Sequence, residues 1–301
     1  MYMLSNNKLI EELKKRLAEA DSCQKLFDKQ NLQMIEMNQK LADAESLKSH
    51  FLSNITNEIV NPFASILGLS RNIIAAKETD FEKIKSMAEL IHSEAFELDF
   101  QLKNIFTAAK IEAGFARPDI VKTEISQLIK SIIDTYTYKA EQKQLNIKFT
   151  FEIDETLKKS VSFNTDPEKL KLIISNLLNN SIKYSNAANR IELKGWIENE
   201  NLIIMVKDYG IGIRKADLEV IFDRFKRLDN SIHSQNPGHG LGLSVTKALL
   251  DSLEGKIDVK SKLNTGSVFT ITIPQGEADE NDGFAIDGNE FIFDDTDNEV
   301  F

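Results

Sequence analysis

Three polar side chains recur on one face of a predicted helix in the second half of the chain. The stretch DPEKLKLIISNLLNNSIKYS, residues 166–185, places Asn176, Asn180 and Lys183 at i, i+4 and i+7. An Asp-Pro pair at its start is a typical N-cap followed by a first helical residue. An amide oxygen is a hard ligand suited to Mg²⁺, and a neighbouring lysine suits phosphate oxygens. A solvated polar face is the alternative that the same pattern allows.

Two glycine-containing stretches follow this helix. In DYGIGI, Asp208 ends a predicted strand and Gly210 and Gly212 come after it, so a carboxylate acceptor stands beside a backbone able to approach a flat ring. In NPGHGLGLSVTKALLDSL, glycines at 238, 240 and 242 lead into a helix whose N–H groups could surround a phosphate. The second loop lacks the Walker pattern and does not follow a strand. Either stretch alone is weak evidence for a site.

The elements that would position these side chains alternate between helices and strands. Two pairs of strand-like stretches, joined by NEN and by LNTG, predict β-hairpins. The hairpins favour an α/β domain with a mixed or antiparallel sheet over a fold of parallel strands. The predicted strands are IKFTFEI (147–153), RIELKGWI (190–197), LIIMVKD (202–208), KIDVKS (256–261) and SVFTITIP (267–274).

The first 115 residues predict long helices, because Pro62 and Gly68 are the only Pro or Gly before Gly114. A second helix is predicted from Phe81 to Glu112. Two such helices from each of two chains would make a dimeric four-helix bundle. The first helix carries apolar residues at 3–4 spacing, which favours a parallel coiled-coil dimer over a lone amphipathic helix, although Gln24 and Asn31 weaken the pattern. These residues are Ile10, Leu13, Leu17, Ala20, Phe27, Met34, Met37, Leu41, Ala44, Phe51 and Ile55.

Composition predicts a cytoplasmic protein of about two domains. The chain has 301 residues, one cysteine (Cys23), no apolar run long enough to span a membrane and no signal-peptide pattern. It could equally be the cytosolic portion of a membrane receptor. No basic cluster indicates a nucleic-acid partner.

The net charge of −10 comes from the end of the chain. Residues 277–301 hold ten of the 47 acidic residues and no base, so the remaining 37 acids match the 37 bases. This composition predicts a disordered, solvated tail. The alternative is that Phe284, Phe291 and Phe293 anchor a partner.

Taken in order, the stretches resemble the catalytic core of sensor histidine kinases, in which a dimerising helical hairpin precedes an ATP-binding domain of the type shared with Hsp90, gyrase and MutL. The matching stretches are FLSNITNEIVNPF, NLLNNSIKY, DYGIGI, IFDRFKR and GHGLGL. The resemblance runs from about residue 47 to 274. It implies four segments: a coiled-coil signalling helix (1–46), a dimerisation and phosphotransfer hairpin (47–115), an ATP-binding catalytic domain (116–276) and an acidic tail (277–301).

The resemblance implies binding of ATP and Mg²⁺. Asn180 resembles the Mg²⁺ ligand with Asn176 in support, Lys183 and Tyr184 resemble nucleotide contacts, and Asp208 resembles the acceptor of the adenine amino group. The other residues surround the adenine ring, anchor a lid over residues 227–237 or flank the phosphates. They are Gly210 and Gly212 at the ring, Phe222 and Phe225 at the lid, and Gly238, Gly240 and Gly242 at the phosphates.

The first of these stretches departs from the family at its reactive position. The family pattern F-L-x-N-x-S-H-E-x-R-T-P-L is matched with Asn57 at the His, Val60 at the Arg and Asn61 at the Thr. A neutral imidazole has a lone pair for phosphoryl transfer, whereas the amide nitrogen lone pair of Asn is delocalised. Autophosphorylation at this position is therefore predicted to be abolished. Glu58 resembles the residue that takes the acceptor's proton, and Asn61 the one that orients water for dephosphorylating a response regulator.

No other histidine is a good substitute for the missing acceptor. His50 lies one heptad before Asn57, about 10 Å along the helix axis, and His92, His233 and His239 are more simply explained as exposed or packed side chains. Three functions stay open. The chain is a kinase core silenced by Asn57, a nucleotide-binding pseudokinase that scaffolds or dephosphorylates a response-regulator receiver domain, or a kinase acting in trans on a partner's histidine.

Overall fold

A computed structural model of the protein describes most of the chain. It covers residues 3–77, 80–115, 117–152, 162–186, 189–223 and 240–277, and within the first helix the side chains of 3–9, 18, 23, 36 and 40–58 are not described. The chain divides into two compact units, Met1–Leu98 and Asp99–Phe301.

Two helices account for the first part of the chain. Helix α1 spans Met3–Ile74, 72 residues, and continues through Pro62. Helix α2 spans Phe81–Glu112, the bounds that the sequence predicts, and its last residues belong to the second unit. The predicted boundary at 46/47 falls inside α1, and the four-segment division stays a prediction. Among the described residues we find no helical stretch with the length and hydrophobicity that crossing a bilayer requires.

The described apolar residues of the predicted coiled-coil stripe are largely exposed. Leu17 is 74% exposed and Ile10, the least exposed of the large side chains among them, 49%. A helix with such a stripe has no core of its own, since helical stability in proteins comes mainly from packing an apolar face. The coiled-coil dimer stays a prediction.

The second unit is a mixed α/β domain, as the sequence predicts. In chain order its elements are β1 (Val121–Glu124), α3 (Ile125–Gln142), β2 (Asn146–Glu152), β3 (Ser162–Thr165), α4 (Pro167–Tyr184), β4 (Arg190–Glu198), β5 (Asn201–Lys207), a 3₁₀ turn (Lys215–Asp217), α5 (Gly242–Ser252), β6 (Lys256–Lys262) and β7 (Gly266–Pro274).

Five strands form the main sheet, in the order β2-β4-β5-β7-β6. Strands β4 and β5 pair antiparallel, as do β5 with β7 and β6 with β7, whereas β2 pairs parallel with β4. Both predicted hairpins, β4–β5 and β6–β7, are confirmed. The pair β1–β3 forms a separate small antiparallel sheet that the sequence analysis missed, because strands of four residues are too short to show a periodicity.

The core lies between one face of the main sheet and the helices α3, α4 and α5. Alternate strand residues point into it, as the period of two requires. Fully or almost fully buried members include Ile191, Leu193, Ile204, Val206 and Ile271 from the sheet and Ile129, Ile173, Leu177 and Leu249 from the helices.

Helix α4 begins where its sequence indicates. The side chain of Asp166 accepts a hydrogen bond of 2.9 Å from Lys169 N, and Pro167 occupies the first helical position. Asp166 also accepts from Asp119 N at 3.0 Å, so this cap ties the start of α4 to the chain that enters the domain.

Candidate functional site

A buried carboxylate lies directly after the central strand β5. Asp208 is 5% exposed, and its Oδ1 accepts hydrogen bonds from Gly210 N at 3.0 Å and Ser267 N at 3.2 Å. Burial raises the pKa of this carboxyl above its ordinary value, and the hydrogen bonds from Gly210 and Ser267 act in the opposite direction. The result is a buried carboxyl group held in one orientation by two backbone N–H groups.

The loop after Asp208 needs its glycines because the backbone approaches it closely. A Cβ on Gly210 would stand 2.1 Å from the carbonyl oxygen of Tyr184, and one on Gly212, whose φ is +67°, would stand 2.1 Å from that of Lys262. In the structure the close neighbours of both glycines are backbone atoms of the same domain. The predicted contact of the glycines with a ring stays a prediction.

Hydrogen bonds fix this loop between α4 and the β6–β7 turn. Ile211 N donates to Tyr184 O at 3.2 Å, and Asn264 N donates to Ile211 O at 2.6 Å. A bridge also pairs Ser185 with Gly210. The end of α4, the DYGIGI loop and the last hairpin therefore form one connected structure.

Helix α4 contributes the two predicted amides. Asn176 is 1% exposed, and neither polar atom of its side chain has a hydrogen-bond partner within the described part of the chain. A Cβ on Gly242, the first residue of α5, would lie 3.1 Å from Asn176 Oδ1. Asn180, one turn further along, is partly exposed. The structure thus brings the predicted polar face of α4 to the start of α5.

Lys183 and Tyr184 complete the last turn of α4. The Lys183 ammonium lies 5.4 Å from the centre of the Tyr184 ring, and Tyr184 is 36% exposed. The backbone of Tyr184 meets the DYGIGI loop, since its carbonyl accepts from Ile211 N. The last turn of α4 is therefore next to the loop that follows Asp208.

The donor set fits Mg²⁺ only with help from a ligand. Asn180 offers one amide oxygen, and among the described residues no three His, Cys, Asp or Glu side chains come together as a metal-binding group. Mg²⁺ prefers six oxygen ligands and is commonly held by few protein groups together with phosphates and water. Asn180 would hold the ion, whose charge would offset that of the phosphates.

Part of the predicted lid and glycine loop lies outside the described residues. This applies to Phe225, to Gly238 and to the lid at 227–237. Phe222 is partly exposed, with the Lys247 ammonium 5.9 Å from the centre of its ring. Gly240 and Gly242 are described, and Gly242 opens α5 as predicted.

The positions singled out in the first unit all belong to α1. Asn57 and Glu58 are helical, but their side chains are outside the described set, whereas Asn61 is exposed. A spacing of four puts Asn57 and Asn61 on the same helical face.

Two lysines near the end of α4 were missed by sequence reasoning. Lys143 Nζ donates to Ile182 O at 3.0 Å and to Lys183 O at 2.8 Å, and Lys139 Nζ donates to the side chain of Asn179 at 2.8 Å. Burial, and then the charge of Lys139, lower the pKa of Lys143. Lys143, the residue after α3, thus caps the carbonyl end of α4, where helices leave acceptors without internal partners, while Lys139 of α3 binds a side chain of α4. About 40 residues separate the partners, and no local pattern marks the pairing.

Ser267 was also missed. The sequence marks only a turn before β7, and nothing in it predicts that a backbone N–H there reaches Asp208, 59 residues earlier. Pairing of β5 with β7 brings them together, with Lys207 opposite Val268.

Comparison with known proteins agrees with this geometry. Residues 165–277 match the family described as histidine kinase-, DNA gyrase B-, and HSP90-like ATPase. The circadian input-output histidine kinase CikA of Synechococcus elongatus is 29% identical over 250 residues, which cover 80% of this chain and 33% of the relative. The sensor protein SrrB of Staphylococcus aureus is 26% identical over 233 residues, 77% of this chain and 39% of SrrB. The chain spans about a third of the length of these curated relatives.

Solved structures share the fold at low identity. Full-length ShkA in complex with AMPPNP superposes with a TM-score of 0.53 at 20% identity, covering 78% of this chain and 46% of ShkA. The histidine kinase ThkA in complex with the response regulator protein TrrA gives 0.50 at 18% identity, covering 78% and 64%.

The fold and the matched family define a histidine kinase-type ATPase domain in the second unit. With the helical region ahead of it, the chain has the catalytic core of a sensor histidine kinase.

Proposed function

We propose that the second unit binds ATP together with Mg²⁺, with Asp208 accepting a hydrogen bond from the adenine amino group. The observation that carries this proposal is the buried carboxylate fixed by Gly210 N and Ser267 N after β5. A buried acceptor is costly unless it is used, which favours a ligand with a matching donor. ShkA, whose fold this chain shares, has been solved with AMPPNP.

The remaining polar groups suit the rest of the nucleotide. Asn180 and Lys183 are on the helix that ends beside Asp208, and the start of α5 adds backbone N–H groups on the same side. Amide, ammonium and helix N-terminus together favour a polyphosphate with its cation.

Calorimetric titration with ATP and Mg²⁺ tests this proposal. The wild-type chain should release binding heat, and Asp208→Asn should weaken affinity about 10- to 100-fold, because a buried hydrogen bond to a charged group is replaced by a mismatched amide. Asp251→Asn, at an exposed carboxylate of α5, is the matched control and should bind like wild type. Absence of heat from the wild type would refute nucleotide binding.

For the phosphoacceptor position we infer that Asn57 leaves the core unable to autophosphorylate there. A carboxamide has no basic nitrogen for in-line attack, so the loss should be complete rather than partial. The protein would then work in two-component signalling as a homodimer in the cytoplasm, or as the cytosolic portion of a receptor. It would bind a response-regulator receiver domain without supplying phosphate from its own residue 57.

A phosphatase function toward that regulator is favoured by the exposure of Asn61 on α1. An amide there could orient water toward an aspartyl phosphate on the receiver domain. The test is the lifetime of the regulator's aspartyl phosphate with wild type and with Asn61→Ala, which should restore the longer lifetime. An unchanged lifetime with wild type would remove this function and leave the scaffold.

Transfer in trans is the remaining alternative. It uses the same ATP site on a partner's histidine, and labelling of the partner chain in a heterodimer with γ-labelled ATP would reveal it. No labelling of the partner would exclude it.

A further inference from the structure

The face of the main sheet opposite the helices carries an apolar centre. By the register, Trp196 lies beside Ile203, and Ile203 beside Thr272, while Met205 lies beside Thr270. All five side chains are partly exposed and alternate with buried residues of the core face. We call this set the outer patch.

Basic residues lie along one side of the outer patch. On β5 and β6 the residues that point the same way include Lys207, Lys256, Lys260 and Lys262, against the single acid Asp258. On β4 the outward charges balance, two of each sign. A partly exposed apolar centre with a positive rim fits an acidic segment that carries apolar anchors.

The chain itself contains such a segment. Residues 290–295 read EFIFDD, with Phe291 and Phe293 two residues apart and acids on both sides. Residues two apart share a side when a segment is extended, so both rings could enter one apolar surface. The whole stretch 277–301 carries ten acids and no base.

The described chain that precedes this segment ends near one end of the outer patch. Pro274 pairs with Asn201, Gln275 N donates to Glu200 O at 2.9 Å, and Gly276 N donates to Asn164 O of β3 at 3.0 Å, so the chain leaves β7 beside the β4–β5 turn. Ile203 is two residues along β5 from Asn201, about 7 Å away. The 13 residues 278–290 can span up to about 43 Å, which is ample.

We propose that the outer patch is the docking surface for residues 290–295 of the same chain. Phe291 and Phe293 contact Trp196, Ile203 and Met205, and the flanking acids pair with the lysines of β5 and β6. The segment thereby covers the outer face of β5, the strand that Asp208 directly follows. This inference does not depend on nucleotide binding.

Trp196 makes the proposal directly measurable, because it is the only tryptophan in the chain. Its emission maximum and its quenching by acrylamide report on how accessible the indole ring, and with it the outer patch, is to solvent. In the full-length Phe291→Ser/Phe293→Ser variant, emission should shift to the red and the quenching constant should rise about twofold, since the indole loses its apolar cover. High salt should move wild type in the same direction because it screens the acids from the lysines.

Phe284→Ser is the matched control within the same acidic stretch, and its fluorescence should stay that of wild type. Identical quenching of Trp196 in wild type and in the double variant would overturn the proposal. So would protection that disappears on dilution, because the occupant would then be a second copy or another molecule. A larger effect from Phe284→Ser than from the double variant would assign the contact to a different segment and also contradict the proposal.

Discussion

The ATPase domain and helix α1 differ in whether their apolar side chains are buried within their own unit. In the ATPase domain, core residues such as Leu177 and Ile204 are fully buried within the unit, and backbone N–H groups of the same domain hold Asp208. In α1 the described apolar stripe is exposed, with Leu17 at 74%. A domain that buries its own apolar core can hold the residues of a site in place by its own packing. A long helix with an exposed apolar stripe is stabilised only where another element packs against that stripe.

The same contrast applies to the chemistry. The stretches expected around a nucleotide are present in the ATPase domain. Among the described ones, the DYGIGI loop meets the end of α4, and Gly242 lies beside Asn176 in the middle of that helix. The helix that should carry the acceptor has Asn57 instead of histidine. The comparison suggests that nucleotide binding and phosphoryl transfer can be separated in this chain, and the variants below test that separation.

The largest expected effect comes from restoring the acceptor. Asn57→His should change labelling by γ-labelled ATP and Mg²⁺ from undetectable to clear, because an imidazole supplies the missing nucleophile. Acid-labile radioactivity on the protein is the measurement. Asn57→Gln, which keeps the amide, and the double variant Asn57→His/Asp208→Asn should both stay unlabelled. If Asn57→His does not label, the ATPase domain has also lost transfer, and the scaffold function gains support.

Two glycine substitutions should act in opposite directions. Gly210→Ala places a Cβ 2.1 Å from Tyr184 O and should cost about 3 kcal/mol or more of domain stability. Gly68→Ala in α1 meets nothing within 4 Å and should stabilise the helix by about 0.5–1 kcal/mol. Denaturant unfolding followed by circular dichroism measures both. Equal effects at the two sites would show that the backbone around Gly210 has room for a Cβ.

Removing the lysine cap of α4 should have an intermediate effect. Lys143→Met leaves the carbonyls of Ile182 and Lys183 without their donor and should cost about 1–2 kcal/mol in unfolding free energy. Lys148→Met, at an exposed position of β2, is the control and should change stability little. A Lys143 variant as stable as the control would mean that water replaces the cap.

The smallest effect concerns pH. The pKa of Asp208 is raised above 3.8 by burial, so its ionised form is lost at a higher pH than that of an ordinary Asp as the pH falls. The affinity advantage of wild type over Asp208→Asn should therefore shrink as the pH falls through that raised pKa, by at most about tenfold per pH unit. Parallel titrations of both proteins remove the protonation of ATP itself from the comparison. An advantage that stays constant with pH would argue against an ionised acceptor.

The sequence predicts those elements of the structure whose sequence pattern lies within the element itself. Helix α2 and the two hairpins were predicted because their signals, apolar periodicity and short polar turns, lie within the elements themselves. The start of α4 was predicted from its Asp-Pro cap, which the structure confirms. Strands β1 and β3 were missed because four residues carry too little pattern.

At the site, the residues that support the predicted ones were not foreseeable. Lys143 caps a helix end that lies 40 residues after it, and Ser267 donates to a carboxylate 59 residues before it. Such contacts follow from strand order and helix packing, which no single window of sequence contains. Phe225 and Gly238 lie outside the described residues, and their predicted roles stay predictions.

The hydrogen bond from Ser267 to Asp208 also bears on the order in which the domain is made. Strand β7 lies between β5 and β6 in the sheet, yet it comes last in sequence among the strands that the structure describes. Contacts between residues far apart in sequence form late, and a chain emerging from the ribosome folds from its beginning. The environment of Asp208 is therefore incomplete until β7 has been synthesised and has inserted between β5 and β6. A nascent or truncated chain that ends before Ser267 should have the helices and the first strands, but no functional nucleotide pocket.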